Sequence, residues 1–122
     1  MPSYRVAIDV HETRPGVAPA TLLPTAERLL AATHRVEDRS VELVRMQPQI
    51  HLRFLVEPTS DVEEDDEAEG AVRRLVAELR RSAVLGAWTL RRGPGGHWRT
   101  IREGVAPRDD AAQETPEFPV DF

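Results

Sequence analysis

Two histidines and an aspartate, His11, His51 and Asp9, are the side chains of this chain whose types most invite chemistry. Imidazole titrates near neutrality, so two of them beside a carboxylate could share a proton as an acid–base couple or hold a divalent metal. Two alternating segments would bring them together. Residues 4–11 read Tyr-Arg-Val-Ala-Ile-Asp-Val-His and residues 50–57 read Ile-His-Leu-Arg-Phe-Leu-Val-Glu, both with the period of two that marks a strand with one buried face. Laid antiparallel so that residue numbers sum to 62, they oppose Val6 to Val56, Ile8 to Phe54 and Val10 to Leu52 on one side. On the other side Arg5 meets Glu57, Asp9 meets Arg53, His11 meets His51, and Ala7 falls opposite Leu55. Such pairs stabilise a sheet by ~0.2–1 kcal/mol each. In an enzymatic reading, His11 or His51 is a general base and Arg5 or Arg53 grips an anionic substrate. The plainer reading is a solvated sheet face whose matched charges fix the register, with no metal bound, and it is the one expected.

A second constellation is basic. Arg91, Arg92, His97, Trp98, Arg99 and Arg102 surround the turn Gly93-Pro94-Gly95-Gly96. Arginines flanking a tryptophan could contact phosphates and stack a base. The net charge of −5 argues against nucleic acid as a partner, and protein docking or neutralisation by the chain's own acids fits better. Trp88, Leu90 and Trp98 also suit a core or a sheet edge. Phe118 and Phe122 stand out as apolar anchors in an otherwise polar, proline-punctuated tail, in the manner of short segments that dock on another surface.

Charge is strongly segregated. Residues 61–69 carry seven acids and no cation, whereas residues 70–102 carry eight arginines and one glutamate. The acidic run lacks the alternating aspartates and glycine of a calcium loop. It reads as the N-terminus of a helix, where carboxylates complement the macrodipole while Arg73, Arg74, Arg80 and Arg81 approach the other end.

Absences bound the chemistry further. There is no cysteine, lysine or asparagine, and all 16 cationic side chains are arginine. Disulfides, thiolate sites, lysine Schiff bases and P-loops are therefore excluded. No serine lies in a nucleophile elbow, and the glycines sit in a hairpin turn rather than between a strand and a helix, so no dinucleotide fingerprint is present. The arginine- and alanine-rich composition suggests a GC-rich bacterial source. With no apolar run of membrane-spanning length and no signal-like start, the expected setting is the cytoplasm, with no membrane contact.

Stepping along the 122 residues, loop 11–19 leads to a helix reaching about Arg35, with Leu22, Ala26, Leu29, Leu30 and Thr33 on one face. Residues 40–47 read as an edge strand that Pro48 turns into the next. Pro58 ends that strand, and a second helix carries Ala68, Val72, Leu75, Val76, Leu79 and Ala83 as its stripe. Strands 87–92 and 97–103 close the domain, with Gly86 just ahead of the first. The order is β-α-β-β-α-β plus a C-terminal strand, an α+β domain over residues 1–103 followed by a tail over 104–122. This topology resembles the ferredoxin-like group, including the small dimeric α+β-barrel proteins, and implies an antiparallel sheet of order 5-4-1-3-2 with both helices on one face.

The expected function is that of a small, cofactor-free, non-enzymatic interaction or regulatory protein. It would self-associate as a dimer, or dock another protein, through Arg91, Arg92, Trp98 and Arg99 with Phe118 and Phe122. The alternative is a cofactor-free enzyme or small-ligand binder using the open sheet face around His11, His51, Asp9, Arg5 and Arg53.

Overall fold

A computed structural model describes residues 1–93 and 97–107. The turn residues 94–96 and the tail beyond Pro107, with Phe118 and Phe122, lie outside the described residues. Five strands and two helices follow in the order β1 (Ser3–Thr13), α1 (Leu22–Ala31), β2 (Arg35–Val44), β3 (Gln47–Leu55), α2 (Asp61–Leu79), β4 (Ala83–Arg92) and β5 (Arg99–Val105) among the described residues. The strands form one sheet of order β2-β3-β1-β4-β5 with every neighbour antiparallel. The expected strand order is therefore the observed one.

Alternation places the even residues of β1 under the helices. Tyr4, Val6, Ile8 and Val10 join Ile50, Leu52 and Phe54 of β3 and Trp88 and Leu90 of β4 in a single apolar core. Leu22, Ala26 and Leu30 of α1 and Ala68, Val72, Leu75 and Leu79 of α2 close it from above. Ser60 is the N-cap of α2: its Oγ accepts the Glu63 N–H at 3.2 Å while its hydroxyl donates to Glu63 Oε1 at 3.2 Å.

The register of the central pair differs from the expected one. Residue numbers sum to 58, so Tyr4 faces Phe54, Val6 faces Leu52 and Ile8 faces Ile50. The slide is an even number of residues, which leaves every side chain on its expected face while replacing every partner. Tyr4 stacks on Phe54 with ring centroids 5.9 Å apart. The anticipated ion pairs Arg5–Glu57 and Asp9–Arg53 do not form across this ladder, where Arg5 faces Arg53 and Asp9 faces Gln49.

Several boundaries also move. β2 begins at Arg35 rather than 40, with a bulge between Val36 and Asp38. The turn into β3 is Arg45-Met46, both at positive φ (52° and 67°), a two-residue hairpin turn made without glycine or asparagine. Pro48 lies within β3, past the last β1 partner. Gly86 and Ala83 belong to β4, and β5 runs on to Val105, after which Ala106 donates its N–H to Gly86 O at 3.0 Å.

Candidate functional site

The helix-free face of the sheet carries the odd residues of β1 and their partners. Arg5 lies directly opposite Arg53 on β3 and directly opposite Arg91 on β4, so three guanidinium side chains form one row over three adjacent strands. One step along β1, Ala7 sits between His51 and Thr89. Ala7 is buried, and its β3 partner is His51 rather than the expected Leu55. Trp98 folds back over this face, with the Arg5 guanidinium 5.2 Å from its ring centroid.

His51 is nearly enclosed. Its Nε2 lies 2.9 Å from Gln49 Oε1, and the Gln49 amide donates to Asp9 Oδ1 at 2.8 Å. This chain fixes the proton on Nε2 and leaves Nδ1 as an acceptor, 3.7 Å from Glu42 Oε2. Burial holds the His51 pKa below its ordinary value, the nearby Arg5 and Arg91 add to that, and Glu42 opposes it. The imidazole is neutral at pH 7. His11 is exposed, four residues along β1 from the Ala7 that His51 faces, and its ring lies against Gly86. The two histidines expected to meet are thus separated by the register shift. No group of three or more His, Asp or Glu among the described residues is placed to hold a metal ion.

Arg92, one residue beyond Arg91, points to the other face and is consumed by the fold. It donates to Tyr4 Oη at 2.6 Å, Asp65 Oδ1 at 2.7 Å and Glu64 Oε1 at 2.7 Å, and only 14% of its side chain is exposed. Tyr4 donates its own hydroxyl proton to Asp65 Oδ1 at 2.6 Å. Glu64 is held below the usual carboxylate range by the Arg92 hydrogen bond and by the Thr59 N–H. Burial pushes Asp65 upward, but the Tyr4 and Arg92 hydrogen bonds outweigh it and the net shift is down. Arg102 engages Glu69 at 2.7 Å and Asp66 at 3.3 Å. Arginines of the basic segment thus neutralise part of the acidic helix, a role for that helix beyond its dipole. Arg99 is exposed, and among the described residues Arg91 hydrogen-bonds Thr100 Oγ1 at 3.3 Å.

A surface that sequence reasoning did not single out lies at the far edge. Glu27 of α1 reaches Arg39 of β2 at 2.7 Å, and the β2–β3 hairpin continues past that contact. Past that point Val41 and Leu43 lie on the helix side of the sheet, opposite Ile50 and Pro48. Val41 is 57% exposed, Leu43 63%, Val44 40% and Met46 82%. Beneath the arm is a cleft of about 410 Å³ lined mainly by Val10, Leu22, Leu23, Val41, Pro48 and Ile50. The run Val-Glu-Leu-Val-Arg-Met, which alternates poorly, was the available signal.

The class defined so far is a mixed α+β protein with a five-stranded antiparallel sheet and two helices. No protein-family model matches the chain, and no curated protein matches it. Among solved structures the chain is similar to a phage SAM lyase in the apo state, at a TM-score of 0.53 and 8% identity, over 87% of this chain and 90% of the other. At that identity the likeness speaks to the fold alone. No helix among the described residues is long and apolar enough to cross a membrane.

Proposed function

We propose that this chain is a small non-enzymatic interaction protein of ferredoxin-like topology that self-associates through the free edge of β2. The carrying observation is the exposed apolar arm: Val41, Leu43 and Val44 on the edge strand, with Met46 in the turn that follows, are exposed where a monomer would normally place charge. The proximal half of β2 follows that rule, with its bulge, Asp38 and Arg39. The distal half does not.

A second copy is the occupant that the strand itself suits. Pairing β2 with its own two-fold image about Ser40 sets Asp38 against Glu42, and pairing about Glu42 sets that carboxylate against itself. Centring on Val41 stacks Val41 on Val41, sets Arg39 beside Leu43 and Ser40 beside Glu42, and opposes no like charges. Of these three registers, the one centred on Val41 is the one free of like-charge opposition. This moves the expected assembly surface away from Arg91, Trp98 and Arg99, which lie toward the other edge.

Light scattering on a sizing column tests it. The full chain is expected to elute as a dimer, and Val41→Glu with Leu43→Glu as a folded monomer with unchanged circular dichroism. A monomeric wild type, or a dimer that survives both substitutions, refutes the arm. A dimer lost only when residues 108–122 are removed would assign assembly to the tail instead.

A further inference from the structure

The row Arg53–Arg5–Arg91 is an arrangement the fold does not need. Like charges directly opposite one another on neighbouring strands are destabilising, and here one arginine has such a neighbour on each side. Two other arginines of the same sheet, Arg92 and Arg102, each hold a carboxylate at 2.7 Å. In the row, neither Arg5 nor Arg91 has a carboxylate partner among the described residues, and Arg53 has only Glu37 at 3.5 Å. Two donors beside the row are buried with no hydrogen-bond partner among the described residues, the Nε–H of Arg53 and the hydroxyl of Ser3, which precedes Arg5 on the same face. Buried donors are nearly always paired, so these two mark a place where an acceptor belongs.

We propose that this face is a phosphate-recognition site in which Arg53, Arg5 and Arg91 together bind a small molecule carrying two linked phosphoryl groups, with Trp98 as an aromatic wall at its side. Guanidinium forks match phosphate oxygens in geometry and stay charged at any working pH. Adjacent strands are about 4.8 Å apart, so the row spans roughly 10 Å. A single phosphoryl group reaches two of the three forks, and a linked pair reaches all three. A carboxylate offers two oxygens in one plane and satisfies one fork. The Trp98 indole already stacks one guanidinium and leaves part of its surface open to a ligand. The site lies on the helix-free face, apart from the Val41–Met46 arm, and does not rest on self-association.

Calorimetric titration of the full chain at low salt, with sodium pyrophosphate, inorganic phosphate and succinate in separate runs, tests the assignment. Pyrophosphate is expected to bind at least about tenfold more tightly than either of the others, since the third fork adds charge-assisted hydrogen bonds. Arg5→Gln is expected to weaken pyrophosphate by at least about tenfold, whereas Arg28→Gln, on the outer surface of α1, leaves it unchanged. Two thermal melts keep the variant interpretable. Without ligand, Arg5→Gln should unfold no earlier than wild type, because the repulsion is relieved, and pyrophosphate should raise the midpoint of wild type but not of the variant. Equal affinity for pyrophosphate and phosphate, an unaffected Arg5→Gln, or no binding of any of the three anions overturns the site. Binding of a single-stranded oligonucleotide without binding of pyrophosphate also overturns it.

Discussion

Arg92→Leu is the most informative single perturbation of the fold. Arg92 joins β4 to α2 by donating to Asp65 and Glu64 at 2.7 Å each and to Tyr4 Oη at 2.6 Å. Leucine keeps much of the aliphatic volume and removes these bonds together with a longer one to Asp61 at 3.4 Å. The Arg92 side chain is 14% exposed and that of Asp65 15%, so solvent only partly replaces the lost partner. Hydrogen bonds to charged groups contribute about 1.5–3 kcal/mol each, and breaking a buried pair costs about 3–5 kcal/mol. Partial solvent access and the Tyr4–Asp65 bond that remains put the expected loss at the lower end, about 3 kcal/mol. Urea unfolding followed by tryptophan fluorescence, at one fixed protein concentration, measures it. The pH dependence supplies an independent check. Asp65 and Glu64 have folded-state pKa values depressed below the ordinary value of about 4. Their stabilisation is therefore complete above the unfolded pKa and is lost as pH falls through the folded one. In Arg92→Leu the depression is partly relieved, with the Tyr4 and Thr59 hydrogen bonds remaining, so the gap between wild type and variant should narrow as pH drops below about 4. A loss under about 1 kcal/mol, or a gap that stays constant down to acid, would mean that the clamp is no stronger than an exposed ion pair.

Two further expectations follow from the sheet. A methyl group on Gly104 would run into the indole of Trp88, which is 2% exposed and cannot swing away, so Gly104→Ala should cost about 1–3 kcal/mol in urea unfolding. A methyl group on Gly86 meets the ring of exposed His11, which can rotate, so Gly86→Ala should cost distinctly less; equal losses would contradict this account of the two glycines. His51, followed by imidazole proton NMR, should titrate below about 6.5. Arg5→Gln should raise its midpoint, since one of the charges holding it down is removed, and an unmoved midpoint would place Arg5 farther from the ring than the register does.

What the sequence revealed and what it hid divide along a physical line. Alternation determines which face of a strand is wet, and that parity survived intact: Arg5, His51 and Arg53 lie on the open face, while Val6, Leu52 and Phe54 lie in the core. Parity says nothing about slides by an even number of residues. Among those, expected charge pairs worth ~0.2–1 kcal/mol each were too weak to decide. Aromatic packing is worth about as much again beyond the area it buries. Tyr4 stacks on Phe54, and the Tyr4 hydroxyl is needed at Asp65, a residue 61 positions away that no local pattern connects to it. The turn at Arg45-Met46 added to the concealment, because neither residue type announces positive φ. The same even slide parted His11 from His51 and brought Arg5 against Arg53, replacing an expected ion-pair ladder with like charges face to face. The segregation of seven acids in 61–69 from the arginines after them was visible. Its meaning was not, because only the packing of α2 over β4 and β5 decides which arginines the acids reach. Arg92 and Arg102 take that role, and Arg91, a single residue from Arg92 but on the opposite face, is left with a hydroxyl as its partner. Strand parity thus sorts two adjacent arginines into different places, one holding the fold together and the other on the open face of the sheet.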